Sequence, residues 1–220
     1  MRTLTTALDS YRRNRFAWLF FSLLVTLGLG PLFDTLVQGF DLLELLLAVN
    51  LLAAIGSALH ERWFRLLVLL GAVFVAARST QALLGIDLLI PASHLLWVSA
   101  GLLAMVTTVR HALRAGTVDF ERIFAALDAY LLAGLMFGVC YWLIDQSWPE
   151  SFGPDADSSL PLARANYFSF VTITTLGYGD IVPASNLAQG LSVLEAVSGQ
   201  LYVAVLVARL VSLFARSADE

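Results

Sequence analysis

The residue types that usually carry catalysis are thinly spread in this chain. Its 220 residues include three histidines and one cysteine. His60, His94 and His111 fall at the ends of apolar stretches and show no ligand spacing, so they outline neither a metal site nor a proton relay. Cys140 lies inside an apolar run and reads as an inert buried thiol; alone, it excludes an intramolecular disulfide and a cysteine-based metal cluster. No Ser/His, His/Glu or paired-Asp constellation suggests an enzyme. The segment that could do chemistry is Asp145–Ala184. It opens with a polar loop, QSWPESFGPDADSSLP, and continues as ARANYFSFVTITTLGYGDIVP. Within it, Tyr167–Thr174 is apolar and hydroxyl-rich but far short of the ~20 residues that cross a bilayer. Gly177 and Gly179 follow, and Pro183 restarts the chain. A short apolar helix that enters and returns puts non-helical backbone at membrane depth. Such backbone is tolerated only where protein buries it or where it lines a water-filled path. The segment therefore marks a pore or a site.

The rest of the chain must position that segment, and its composition sets the solvent. Hydrophobic residues make up 59% and charged residues 14%, against roughly 25% charged in a soluble domain. The mean hydropathy is +0.79. A soluble fold of this size cannot cover that much apolar surface, and a net charge of −4 disfavours a nucleic-acid partner. Six stretches read as spans: Phe16–Phe33, about Leu42–Leu59, Trp63–Ala77, Pro91–Val109, Ile123–Ile144 and Leu187–Phe214. A further apolar piece, Leu83–Ile90, precedes the fourth. The first span lacks a small-residue cleavage site and reads as a retained helix, not a signal peptide.

All thirteen basic residues are arginine. With six spans and both termini inside, Arg2, Arg12, Arg13, Arg15, Arg62, Arg65, Arg110, Arg114, Arg122, Arg209 and Arg216 are cytoplasmic, leaving Arg78 and Arg164 outside. The positive-inside rule favours this arrangement. The polar stretch Arg110–Glu121 divides the chain into a four-helix front half, 1–109, a cytoplasmic connector, 110–121, and a back half, 122–216. The Ala/Leu/Arg-rich composition suggests a bacterial inner membrane.

The run Thr175-Leu176-Gly177-Tyr178-Gly179-Asp180 resembles the T-V-G-Y-G-D selectivity filter of potassium channels, with Leu in place of Val. The resemblance covers roughly Glu121–Phe214 and extends, in helix number and orientation, to six-helix members of that family. It implies an all-α membrane protein with six transmembrane helices, a re-entrant pore helix and a filter, assembled as a homotetramer because one chain supplies one filter loop. It implies K+ as the permeant species, the lipid bilayer as surroundings, no cofactor and no enzymatic activity. In that family rings of backbone carbonyls replace the ion's hydration shell. The resemblance assigns Thr175, Leu176, Gly177 and Tyr178 to the ion path, with Gly179 and Asp180 in support. Glycines at 177 and 179 permit backbone conformations that let successive carbonyls point inward. Tyr178 can turn its ring outward against the pore helix.

Voltage-gated relatives carry arginines at every third position of the fourth helix, whereas Leu95–Val109 carries no charge. Without gating charge, steep voltage dependence has no source. Glu44, Arg65 and Asp87 read as snorkelling residues near span ends, and mid-span Asn50 as an interhelical hydrogen bonder. The four residues after the last helix leave no room for a ligand-binding domain within this sequence. In the sixth span, Gly199 falls where the family bends its inner helix, although close packing explains a glycine equally well. Gln200, Val203, Val207 and Val211 share one face, read as cavity lining and, lower down, a hydrophobic gate. Glu195 is rotated about 140° from Gln200. It should point behind the filter, with Ser169, Thr172, Thr174 and Tyr167 as candidate partners, either as a brace or as an acid that tunes the filter. A non-selective cation channel, a potassium uptake transporter and a membrane-embedded enzyme are the competing readings.

Overall fold

Long apolar runs without charge clusters form helices, because in a membrane every backbone N–H and C=O must be satisfied within the segment. The computed structural model describes residues 14–36, 50, 90–112, 120–153 and 160–218. It contains α1 (Arg15–Leu36), α2 (Ile90–Ala112), α3 (Phe120–Ser147), α4 (Leu162–Ile173) and α5 (Asn186–Ala218). Among the described residues there is no strand. Helix α3 and the Asn186–Ser212 part of α5 are long and apolar enough to cross a membrane. The expected spans at Leu42–Leu59 and Trp63–Ala77, apart from Asn50, lie outside the described residues. So do Glu44, Arg65, Asp87, His60, most of Leu83–Ile90 and most of the 110–121 connector.

The chain divides into two compact units, Met1–Ala129 and Tyr130–Glu220. The boundary falls inside α3. In the first unit α1 meets the start of α3. The Phe16 N–H, at the open amide end of α1, donates to Glu121 Oε2 at 3.2 Å, a carboxylate placed where unpaired helical N–H groups need an acceptor. One turn further, the Phe20 and Phe124 rings lie 5.6 Å apart. His111 of α2 packs on Phe16, with ring centroids 4.5 Å apart. Asn50 is buried; its Nδ2 donates to Thr26 Oγ1 (2.8 Å) and its Oδ1 accepts from Ser22 Oγ (2.5 Å).

In the second unit α4 sits between α3 and α5. Tyr141, Leu160, Ala165, Phe168 and Ile181 form its buried cluster, flanked by Phe137, Trp142, Phe152 and Leu191. The Tyr141, Phe152 and Phe168 rings meet edge to face at 4.9–5.5 Å, a favoured arrangement of aromatic quadrupoles. Glycine brings the backbones together. A side chain at Gly134 would meet the Phe170 ring at 2.8 Å, and one at Gly138 would collide with Asn166 Oδ1 and come within 2.8 Å of its Cα. Two glycines one turn apart on α3 thus accept Asn166 and Phe170, one turn apart on α4.

Candidate functional site

Helix α4 is longer than the apolar run Tyr167–Thr174 predicts. It gains a first turn at Leu162 that carries Arg164 and Asn166. Arg164 is exposed, while Asn166 is buried against Gly138. The approach to this turn is anchored: the Leu160 N–H donates to the buried Asp145 Oδ2 at 2.6 Å. Pro161, in extended conformation, then opens the helix without an N–H to satisfy.

At the other end of α4 its last carbonyls organise the Thr175–Asp180 loop. Thr172 O accepts from Thr175 N at 2.9 Å. Val171 O accepts from both Leu176 N and Gly177 N, at 2.9 and 3.2 Å. In a trans peptide the carbonyl points opposite to the N–H of the same unit. With the N–H groups of Leu176 and Gly177 turned toward α4, the carbonyls of Thr175 and Leu176 face away from it. Positive φ at Thr175 (60°), Gly177 (60°) and Gly179 (78°) alternates with ordinary φ at Leu176 and Tyr178. This alternation keeps peptide units from winding into a helix or a strand. Space does not demand glycine at 177 or 179, since a Cβ at either position would meet nothing within 4 Å; the backbone angle does. At the β-branched Thr175 positive φ is a genuine strain. All six residues Thr175–Asp180 are exposed in the single chain.

The Tyr178 ring stacks on Tyr167 of α4, 6.5 Å between centroids at 15°, and turns from the loop toward the helix that carries it. Gln200 Nε2 of α5 lies 3.4 Å from Thr175 Oγ1, so the cavity-lining candidate and the start of the loop meet. Val203, Val207 and Val211 are all exposed. The buried line of α5 is instead Ala188, Glu195 and Gly199, seven and four residues apart. The other faces carry exposed Val193, Leu194, Val197, Leu201 and Val205. So much apolar surface on one helix suits lipid or further protein, not water.

Gly199 lies against the end of α4: a side chain there would come within 2.6 Å of Ile173 Cγ1 and 2.9 Å of its carbonyl oxygen. Helix α5 runs unbroken through this position, and close approach is what demands glycine. The same carbonyl, Ile173 O, accepts from Tyr130 OH at 3.0 Å.

Glu195 is fully buried. Its Oε1 accepts from Ser169 Oγ at 2.5 Å and its Oε2 from Tyr141 OH at 2.6 Å, so one carboxyl joins α5, α4 and α3. Ser169 Oγ also lies 2.6 Å from Gly134 O. The other three candidate partners are engaged elsewhere. Thr174 Oγ1 donates to Phe170 O, Tyr167 stacks on Tyr178, and Thr172 contributes its carbonyl to Thr175. Sequence reasoning missed Tyr141, Asp145 and Asn166. For Asn166 the signal was available in Gly134 and Gly138, a glycine pair that admits a neighbouring helix.

Residues 126–216 match the sequence model of the ion channel family. The match falls on the α3–α5 half, which is thus similar to an ion-channel domain, and together with its two long apolar helices it marks an integral membrane protein. Two curated relatives align with part of the chain. A protein of Oryza sativa subsp. japonica named two pore potassium channel c is 37% identical over 83 residues, 38% of this chain and 18% of the relative. Two-pore potassium channel 4 of Arabidopsis thaliana is 36% identical over 85 residues, 37% of this chain and 27% of the relative. The similarity therefore spans about a fifth to a quarter of those proteins. No solved structure matches.

Proposed function

We propose that the chain is the pore-forming subunit of a potassium-selective channel that conducts K+ passively. The observation that carries this reading is the Thr175–Asp180 loop, whose first amides turn to the α4 carbonyls and whose own carbonyls face the other way. Four such loops around an axis make stacked carbonyl rings that take the place of ion hydration. One chain supplies one loop, so the channel is a homotetramer, and its subunit contacts fall on the apolar faces of α5 left exposed in the single chain. Thr175, Leu176, Gly177 and Tyr178 line the ion path. Gly179, Asp180 and Glu195 support it, while Gln200, Val203, Val207 and Val211 line the cavity below. Gly199 provides close packing and, where the inner helix opens, a bend point. The chain spans the membrane six times with both termini cytoplasmic. It opens without steep voltage dependence, since Leu95–Val109 carries no charge. The named relatives are plant proteins, whereas the Ala/Leu/Arg-rich composition favours a bacterial membrane.

The test is reconstitution in sealed vesicles and planar bilayers. Potassium flux should be blocked by barium, and reversal potentials in mixed potassium and sodium should lie near the potassium value. Equal permeation of the two ions would refute selectivity and favour a non-selective cation pore; no flux at all would refute the channel.

A further inference from the structure

Asp128, in the middle of an apolar stretch of α3, is fully buried, and neither carboxyl oxygen has a hydrogen-bond partner. Buried ionic groups are ordinarily paired, and an ionisable residue inside a membrane segment calls for a role. Contacts along the helix show what it faces. Phe16 N meets Glu121, and Phe20 meets Phe124 one turn on. Helices α1 and α3 therefore run alongside each other in the same direction. Carrying that register a further turn sets Asp128 level with Leu23 and Leu24. Leu23 is fully buried, so the seam at this level is apolar.

The described charged and titratable groups of the unit do not satisfy it. They are Arg15 and Asp34 on α1, His94, Arg110 and His111 on α2, and Glu121 and Arg122 on α3, and none bonds a carboxyl oxygen of Asp128. The Glu121 carboxylate, two turns back on the same helix, opposes a second negative charge at 128. A neutral carboxyl differs from a carboxylate in having a proton to give. Hydroxyls in these helices repeatedly donate to the carbonyl one turn back: Thr108 to Ala104, Ser192 to Ala188 and Ser198 to Leu194, at 2.6–2.8 Å. A protonated Asp128 can treat Phe124 O in the same way; the carboxylate cannot.

We propose that Asp128 is a proton-binding site in the α1–α3 seam: the neutral acid keeps the seam closed, and loss of the proton opens it. The ligand is the proton itself, and Asp128 acts as a latch. Neither readout below involves ion flux, so the result stands independently of the proposed pore.

Infrared spectroscopy of the full-length protein in lipid near neutral pH should show a protonated-carboxyl C=O band that disappears in Asp128→Asn and persists in Glu195→Gln. Thermal unfolding supplies the second readout. Between about pH 5 and pH 9 the wild type should lose stability relative to Asp128→Asn, by up to about tenfold in the folding equilibrium per pH unit. Comparison with the variant cancels other titrating groups. If the Asn variant does not fold, Asp128→Leu, which suits the apolar seam, replaces it in both experiments. A band untouched by the substitution, or a stability difference that stays flat with pH, would overturn the proposal.

Discussion

Tyr141→Phe isolates the clamp behind the loop. The substitution removes one oxygen and keeps the ring that packs against Phe152 and Phe168. It deletes the 2.6 Å bond to Glu195 Oε2 and leaves that oxygen without its donor in a site closed to solvent. A hydrogen bond to a charged group contributes about 1.5–3 kcal/mol. With about 2–4 °C per kcal/mol for a chain of this size, the melting temperature should fall by about 3–12 °C. Ser169→Ala removes the matching donor on Oε1 and should cost a similar amount. The double variant should depart from additivity, because both hydroxyls serve one carboxyl. Thermal unfolding in detergent measures the loss, and the potassium-to-sodium permeability ratio shows whether a loosened α4 disturbs the loop it holds. If Tyr141→Phe melts with the wild type, the three-helix clamp is not a source of stability and the reasoning fails. Glu195→Gln then separates brace from sensor: an acid that tunes the filter gives a pH-dependent open probability in the wild type alone, while an identical response in both leaves a brace.

Gly177→Ala places a side chain at φ +60°, an angle that costs an L-residue about 1–2 kcal/mol. It should abolish selectivity or conduction in bilayer recordings while the protein still folds. Gly138→Ala and Gly199→Ala both press on backbone atoms of α4, at 2.8 Å from Asn166 Cα and 2.9 Å from Ile173 O, and should each destabilise by about 1–3 kcal/mol in thermal unfolding. Gly190→Ala meets nothing within 4 Å and should be neutral or stabilising by about 0.5–1 kcal/mol. The conductance–voltage curve should be shallow; a slope worth several gating charges per subunit would place a sensor outside the uncharged Leu95–Val109 stretch.

The loop was legible because its signal is local. Two glycines, a tyrosine and a threonine at fixed offsets between apolar runs describe a backbone conformation directly. The helices were legible for the same reason: hydropathy alone reports α3 and α5. The partners of the site were not, because they depend on which faces meet. Tyr141 is one more aromatic within an apolar run, and nothing in its neighbours shows that its hydroxyl reaches α5. Asp128 was lost in the average of its stretch, where one acid barely lowers the hydropathy of the apolar residues around it. Glu195 could be aimed by helical periodicity, but periodicity gives an angle and not a partner; of the hydroxyls on α4 and at its end, Ser169 alone takes the role. The turn at Leu162 escaped notice because polar residues ordinarily end a membrane-embedded helix, whereas here Gly138 makes room for one of them.

The bond between Asn50 and its two partners bears on how the chain is built. Ser22 and Thr26 precede Asn50 by 28 and 24 residues, so during synthesis they emerge first. A side-chain amide facing lipid is costly because nothing there can replace its hydrogen bonds with water. When Asn50 is made, the hydroxyls of Ser22 and Thr26 on α1 are already there to receive its amide. The amide thus favours docking of Asn50 against α1, and it ties the order of assembly to the order of translation. A single polar cluster in the first unit thereby gives assembly a preferred direction before the α3–α5 half has been made.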